Sequence, residues 1–306
     1  MSRTTVVEAA RTTLGPVGTY LPVSFDSLPT ADVQREAARR LERAGYRTAW
    51  TNEVVGGKDA FVQLAVLLGA TERLAFGTGI ANIWARQPQT AHAAAAMLAQ
   101  AYPGRFVLGL GVGHPQQAAA TGREFGSPLS TMRDYLDHMA DPVQPPAPDT
   151  AYPRITGANG PKMLALAGEI TDGALPAGQP PEFTAYARRV LGPDKLLVVG
   201  LSLVPEADPA RASAAARATV AAQLHNPSFA ASLAGLGYAT RDIAEVSERL
   251  VDAIVAHGTP EAVAAKVREH LAAGADHVIL MPPLNSDFLP CLDRLEQLAP
   301  AMAAIA

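Results

Sequence analysis

One cysteine, Cys291, stands in a chain of 306 residues, so no internal disulfide can form. That usage fits a reducing cytosol, and cytoplasmic location is the expectation. Lysine is almost as scarce: four of the 25 basic residues, at positions 58, 162, 195 and 266. In so alanine-rich a chain this reads as compositional bias. No apolar run reaches the ~18 residues of a membrane span. The opening stretch MSRTTVVEAARTTLG lacks the apolar core of a signal peptide and reads as polar and frayed. A net charge of −4 argues against a general nucleic-acid binder, although it leaves room for a local basic pocket. G-x-G-x-x-G, G-x-x-x-x-G-K-[ST] and G-x-S-x-G are all missing. No His, Cys or carboxylate pair has a metal-ligand spacing, so no metal is expected.

What the chain does have is apolar content, 48% against 18% charged, enough for a sizeable core. Short Val/Ile/Leu-rich runs alternate with Ala-rich helical stretches. Strands are expected at 17–22, 46–51, 73–80, 105–113, 154–159, 174–177, 195–205 and 277–283. Helices are expected between them, at 30–45, 59–70, from Pro88, at 129–139, 161–173 and 182–192. Further helices are expected at 208–224, 240–258 and 259–274, and one after the last strand. Thr259, Pro260 and Gly274 frame the clearest of them. The Pro-rich stretch 141–153 is a loop. Eight strands alternating with helices, without a linker, favour a (β/α)8 barrel, one domain over 1–306, above its doubly wound rival.

In such a barrel the chemistry sits where strands end. Asn52 and Glu53 follow the second strand; Glu53 is either a general acid or base or a turn cap. The third strand ends in GTGIANIWARQP (77–88), an abrupt exit carrying Asn82, Trp84 and Arg86. Gly111, Gly113 and His114 follow the fourth, and a titratable ring there suits proton transfer. GANGPKM (157–163) puts glycines and Pro161 at a helix start, leaving backbone N–H groups for a phosphate, with Lys162 as an added cation. An ordinary strand-to-helix turn is the plainer reading of that stretch. His92, His138 and His270 fall within helices and are read as structural or exposed. Trp50 is expected in the core; Trp84 is either core or the flank of a flat ring.

These stretches, with ERAGYRTAWTNE (42–53), PGRFVLGLGVGHP (103–115), PLSTMRDYLD (128–137), GPKMLALAGEITDGALP (160–176) and AHGTPEAVAAKVREHLAAGADHVILMP (256–282), carry a resemblance spanning almost the whole chain. It is to the luciferase-like monooxygenase superfamily, in the actinobacterial branch that uses the deazaflavin coenzyme F420. The resemblance implies a barrel with luciferase-like insertions. It implies a non-prolyl cis peptide at Gly79–Ile80, with Ile80 behind the ring and Asn82 at its polar edge. It implies Gly111 and Gly113 close to the ring, and the phosphate near Gly157, Ala158, Asn159, Gly160 and Lys162. His114 and Glu53 fall where relatives keep proton-handling or acidic residues. Some relatives carry a His where this chain has Val54, which shifts any proton relay onto His114 or Glu53. The activity implied is hydride transfer between deazaflavin C5 and a small organic substrate, in a homodimer. An FMN-dependent enzyme on the same fold and a non-catalytic flavin-binding protein are the rivals. The substrate is not legible.

Overall fold

The computed structural model describes residues 3–23 and 28–305. Ten strands lie in one parallel sheet: β1 (Val17–Tyr20), β2 (Thr48–Thr51), β3 (Ala75–Thr78), β4 (Ala81–Asn82), β5 (Phe106–Gly111), β6 (Arg154–Gly157), β7 (Gly173–Leu175), β8 (Leu196–Leu203), β9 (Val255–Ala256) and β10 (His277–Met281). β10 pairs with both β1 and β8, which closes the ring β1-β2-β3-β5-β6-β7-β8-β10. That is the eight-stranded barrel expected. The two short strands stand outside the count. β4 resumes the course of β3 after a two-residue break and pairs with β5, Ala81 opposite Leu110. β9 adds to the far end of β8, Ser202 opposite Val255.

Side chains alternate across the strands, as the pleat requires. In β5, Val107 points into the barrel, while Phe106 and Leu108 join the larger core between the strands and the outer helices. The barrel interior is filled by Tyr20, Trp50, Val107, Ile155, Leu175, Leu196, Val198 and Ile279. It is a packed core rather than a pore. A third cluster, around Ala212, Ala216, Val220, Leu233 and Leu250, belongs to the helices inserted after β8.

Local signals explain the helix ends. Thr30 caps Ala31–Ala44 by accepting from Val33 N, and Gly45, at φ +100°, stops it. Thr259 caps Pro260–Ala272 in the same way, through Ala262 N. Ala37, Ala38 and Leu41 form the buried stripe of the first of these helices, opposite an Arg/Glu face.

Two expectations are corrected. The opening stretch is not frayed: Arg3–Leu14 is a helix, and its Val7, Ala10 and Leu14 plug the N-terminal mouth of the barrel. Their spacing of three and four residues makes one apolar stripe, hidden in the sequence by small and polar neighbours. Residues 240–258 are not one long helix. The chain breaks at Val246, which has φ +48°, and Ser247 caps a new helix, Glu248–Ile254, that runs into β9. The stretch 141–153 is irregular throughout, as expected.

Candidate active site

The exit from β3 is held from three sides. Gly79 N donates to Thr51 O at 2.7 Å, Glu53 N to Ile80 O at 3.1 Å, and the Tyr20 hydroxyl to Gly79 O at 2.7 Å. Burial pushes the Tyr20 phenol well above its usual range, so it stays a donor. The Gly79–Ile80 peptide is cis, as the resemblance implied. The Ile80 side chain lies across β5 and β6. A Cβ at Gly111 would stand 2.6 Å from Ile80 Cγ1, and one at Gly157 would stand 3.2 Å from its Cγ2. The two glycines therefore make the groove that seats Ile80, and any side chain at 111 would displace it.

Asn82 is the hub of this exit. Its backbone N–H donates to Glu53 Oε2 at 2.8 Å, and its side-chain Oδ1 accepts from Trp84 N at 3.0 Å. Its Nδ2 is buried and has no partner. A Cβ at Gly113 would come within 2.6 Å of that nitrogen. Gly113, at φ +57°, turns the chain past Asn82, and the Gln117 side chain lies in the same space, its Oε1 2.0 Å from where a Cβ at Gly113 would stand.

Glu53 is deeply buried and fully engaged. Oε1 accepts from Ala60 N at 3.1 Å, and both oxygens meet the Arg86 guanidinium, Nη1 to Oε2 at 3.0 Å. Arg86 also reaches Asp59 Oδ2 at 2.8 Å and lies 4.3 Å over the Phe61 ring. This bidentate clasp ties the β2 exit to the β4 exit, and it leaves Glu53 acting as an anchor. His114 is exposed, at the start of the short helix Pro115–Ala119, with its N–H on Gln117 Oε1 at 2.8 Å. It is not among the partners of Glu53. The two candidate proton handlers thus differ: Glu53 is sealed and His114 is open.

The expected phosphate loop is partly committed to the fold. Ala158 N donates to Leu175 O at 3.2 Å, so Ala158 has no amide to offer. Asn159 Oδ1 accepts from Ala177 N at 2.8 Å, which fastens the loop to the segment after β7. Gly160 faces open space and begins the helix Pro161–Ile170 with no side-chain cap. The amides of its first turn, with exposed Lys162 among them, remain directed outward.

Both tryptophans are core. Trp50 is fully buried. Trp84 packs 6.0 Å from Phe125 and donates its Nε1–H to Val112 O at 2.7 Å. Its indole therefore closes the loop rather than flanking a flat ring. Lys58 escaped the sequence reading. Its ammonium contacts Thr51 Oγ1 and Asn52 Oδ1, each at 2.8 Å, and burial pulls it down to about 8, against the opposite pull of Glu53. Tyr20 escaped too, since nothing local ties a tyrosine at the end of one strand to a glycine 59 residues on. Among the described residues, no three His, Cys, Asp or Glu side chains are grouped to hold a metal ion, and no helix is long and apolar enough to cross a membrane.

Comparison with known proteins adds four findings. The profile of the luciferase-like monooxygenase family matches residues 14–277. A 5,10-methylenetetrahydromethanopterin reductase of Methanolobus tindarius is 25% identical over 292 residues, covering 81% of this chain and 89% of the relative. Among solved structures, the coenzyme F420-dependent tetrahydromethanopterin reductase of Methanopyrus kandleri superposes with a TM-score of 0.71 at 18% identity, covering 95% of this chain and 99% of that one. The oxygenating constituent of 3,6-diketocamphane monooxygenase of Pseudomonas putida, solved with FMN, also gives 0.71, at 14% identity, covering 94% and 98%.

Proposed function

The chain belongs to the luciferase-like monooxygenase family, and from that premise we propose that it is an oxidoreductase that uses coenzyme F420 to reduce or oxidise a small organic molecule. The observation that carries this reading is Asn82 Nδ2, a buried donor without an acceptor, next to the Ile80 side chain in its glycine groove. A buried amide N–H left unpaired is costly, and a carbonyl on the polar edge of a flat heterocycle would satisfy it. The uncapped end of Pro161–Ile170 supports the same reading, because its outward amides and Lys162 suit an anionic tail. When bound, the deazaflavin supplies or takes up a hydride at C5.

The protein's own residues do the rest. Ile80, seated by Gly111 and Gly157, backs the ring. Glu53 and Arg86 hold Asn82 in position, which makes Glu53 a positioning residue. His114, exposed beside the Gly113 turn, is the group free to exchange a proton with a substrate. Gly79 shapes the exit; Gly157, Asn159, Gly160 and Lys162 form the anion end, with Ala158 serving the fold alone.

FMN is the second reading, favoured by the likeness to a structure solved with that cofactor. We read the protein as a homodimer acting on a small molecule in the cytoplasm. Titration of the purified protein with oxidised F420 and with FMN, followed by fluorescence and calorimetry, tests the assignment. Tight F420 and weak FMN binding is the expected result. The reverse preference gives the flavin enzyme, and binding of neither by folded protein overturns both.

A further inference from the structure

The N-terminal face of the barrel carries a cation that the fold leaves without a counter-charge. Arg154 opens β6, and its side chain is half-buried. Among the described residues it forms no ion pair, and the one polar contact of its guanidinium is Met139 Sδ, at 3.8 Å. It lines a cavity of about 220 Å³ with Val6 of the plug helix, His92, Tyr152 and Asp172. His92 Nδ1 and the Tyr152 hydroxyl share a hydrogen bond of 2.6 Å and so are spent on each other. Asp172 is spent on the backbone: its Oδ2 accepts from Arg154 N at 2.9 Å. The Arg154 charge is felt across the cavity. His92 is lowered first by burial and then by Arg154, and Arg154 opposes the burial that raises the Tyr152 phenol. A guanidinium partly out of water and lacking an acceptor is costly, and an anion relieves it. The Tyr152 ring also lies 6.4 Å from Phe106, and both rings line a second cavity of about 110 Å³. The two cavities share Val6, Ala151 and Tyr152 as walls. The second is walled mainly by apolar residues, Ala10, Ala99 and Val107 among them, and no charged side chain lines it.

We propose that Arg154 and these two cavities form a binding site for an amphiphilic monocarboxylate, with the carboxylate on the guanidinium and the hydrocarbon chain running past Val6 and Tyr152 along the plug helix. The site lies at the starts of β6 and β7, away from the strand ends that carry Asn82, Gly111 and Gly157, and it does not depend on the oxidoreductase reading. One cation matches one negative charge. The Asp172 carboxylate on the same wall disfavours a dianion such as phosphate. The apolar walls favour an acid long enough to reach past Tyr152 over a short one.

The test uses the purified protein with octanoate, butanoate and 1-octanol as probes, and calorimetry for the affinities. Octanoate is expected to bind about tenfold or more tighter than 1-octanol, through charge-assisted hydrogen bonds to Arg154. It is expected to bind about tenfold or more tighter than butanoate, through the added apolar area. Arg154→Met, which keeps the stem and loses the charge, is expected to bring octanoate down to the affinity of 1-octanol, and Arg154→Lys to keep most of the preference. Ala9→Trp, at an exposed position of the plug helix beside the second cavity, is expected to weaken octanoate about fivefold or more and to leave butanoate unchanged. A second readout decides the matter where Arg154→Met does not fold. A bound carboxylate offsets the Arg154 charge, so the His92 titration, followed by NMR, is expected to move to higher pH with octanoate and to stay in place with 1-octanol. Octanoate bound no better than 1-octanol, binding left intact in folded Arg154→Met, or a His92 titration that octanoate does not move, each overturns the proposal. Equal affinity for butanoate and octanoate, or no effect of Ala9→Trp on octanoate, reduces the site to a bare anion seat and overturns the amphiphile.

Discussion

At the N-terminal end of the barrel, Trp50, Thr48 and His277 close a buried hydrogen-bonded circuit. At the C-terminal end, Asn82, Gln179 and Gln223 each keep one atom without a partner. In the lower circuit Trp50 Nε1–H donates to His277 Nε2 at 3.1 Å, Thr48 Oγ1 lies 3.2 Å from the same nitrogen, and His277 Nδ1 faces Gly15 O at 2.8 Å. The indole N–H can only donate, so Nε2 accepts and Nδ1 carries the proton. The indole N–H and the Nδ1–H are both spent inside the protein, and the circuit's work is to hold β1, β2 and β10 together beneath the plug helix. The upper end has unused donors and acceptors, but they sit on a scaffold as tightly tied as the lower one. Glu53 and Arg86 are that tie. The contrast separates polar groups that build the barrel from polar groups left over for a ligand.

The largest effect is expected where the tie is cut. Arg86→Ala leaves the Glu53 carboxylate buried and unpaired, and urea unfolding should record a loss of about 3–5 kcal/mol. F420 affinity should fall with it, since Asn82 loses its support. A stable variant that still binds would mean that the upper end does not depend on the clasp.

Acid should attack the lower circuit next. Burial pulls His277 down to about 4, against the Gly15 carbonyl and Asp276, which raise it. His270, buried beside Thr184, is also lowered to about 4, first by burial and then by Lys266. In the unfolded chain both titrate near 6.5. The unfolded state therefore binds protons first as pH falls. The stability that neutral histidines contribute is complete above about 6.5 and is lost between there and about 4. Each contributes up to roughly 3 kcal/mol. Unfolding free energies at pH 7.5, 6 and 5 should fall steadily, and His277→Gln should flatten part of that slope. A wild-type slope unchanged by this substitution would remove His277 from the account.

The smallest stability effect is expected at an open valence. Asn82→Ala loses only the Oδ1 bond to Trp84 N, about 1–2 kcal/mol. F420 binding should weaken roughly tenfold, through the missing Nδ2 donor. If stability falls steeply while affinity holds, Asn82 belongs with the builders rather than with the ligand groups.

Much of this was legible in the chain. The eight strands came from short apolar runs, and the ends of Ala31–Ala44 and Pro260–Ala272 from Thr30, Gly45 and Thr259, because capping and periodicity act over a few residues. The plug helix was missed because its stripe of Val7, Ala10 and Leu14 is thin, and its value appears only when a barrel mouth lies above it. The break at Val246 was missed because Ser247, a legible cap, was absorbed into an apolar pattern running through it. The sequence pointed to strand ends, and there the structure puts the proposed groups: Asn82, Gly111 and Gly157 close β4, β5 and β6, and the helix Pro161–Ile170 follows β6. Individual roles were not legible. Glu53 and His114 looked like equal candidates for handling a proton, and only the partners around each separate an anchor from an exposed ring.

By itself, the amino-acid sequence determined the alternation of strands and helices, the exclusion of an internal disulfide and of a long apolar helical span, and the places where glycine must stand. These follow from composition and from interactions between near neighbours. Tertiary structure decided which polar groups are spent and which are spare. Glu53 meets Arg86 across 33 residues, Tyr20 meets Gly79 across 59, and Trp50 meets His277 across 227. Whether a buried carboxylate or amide is satisfied depends on partners that closure of the barrel brings within about 3 Å, and no local pattern encodes that distance.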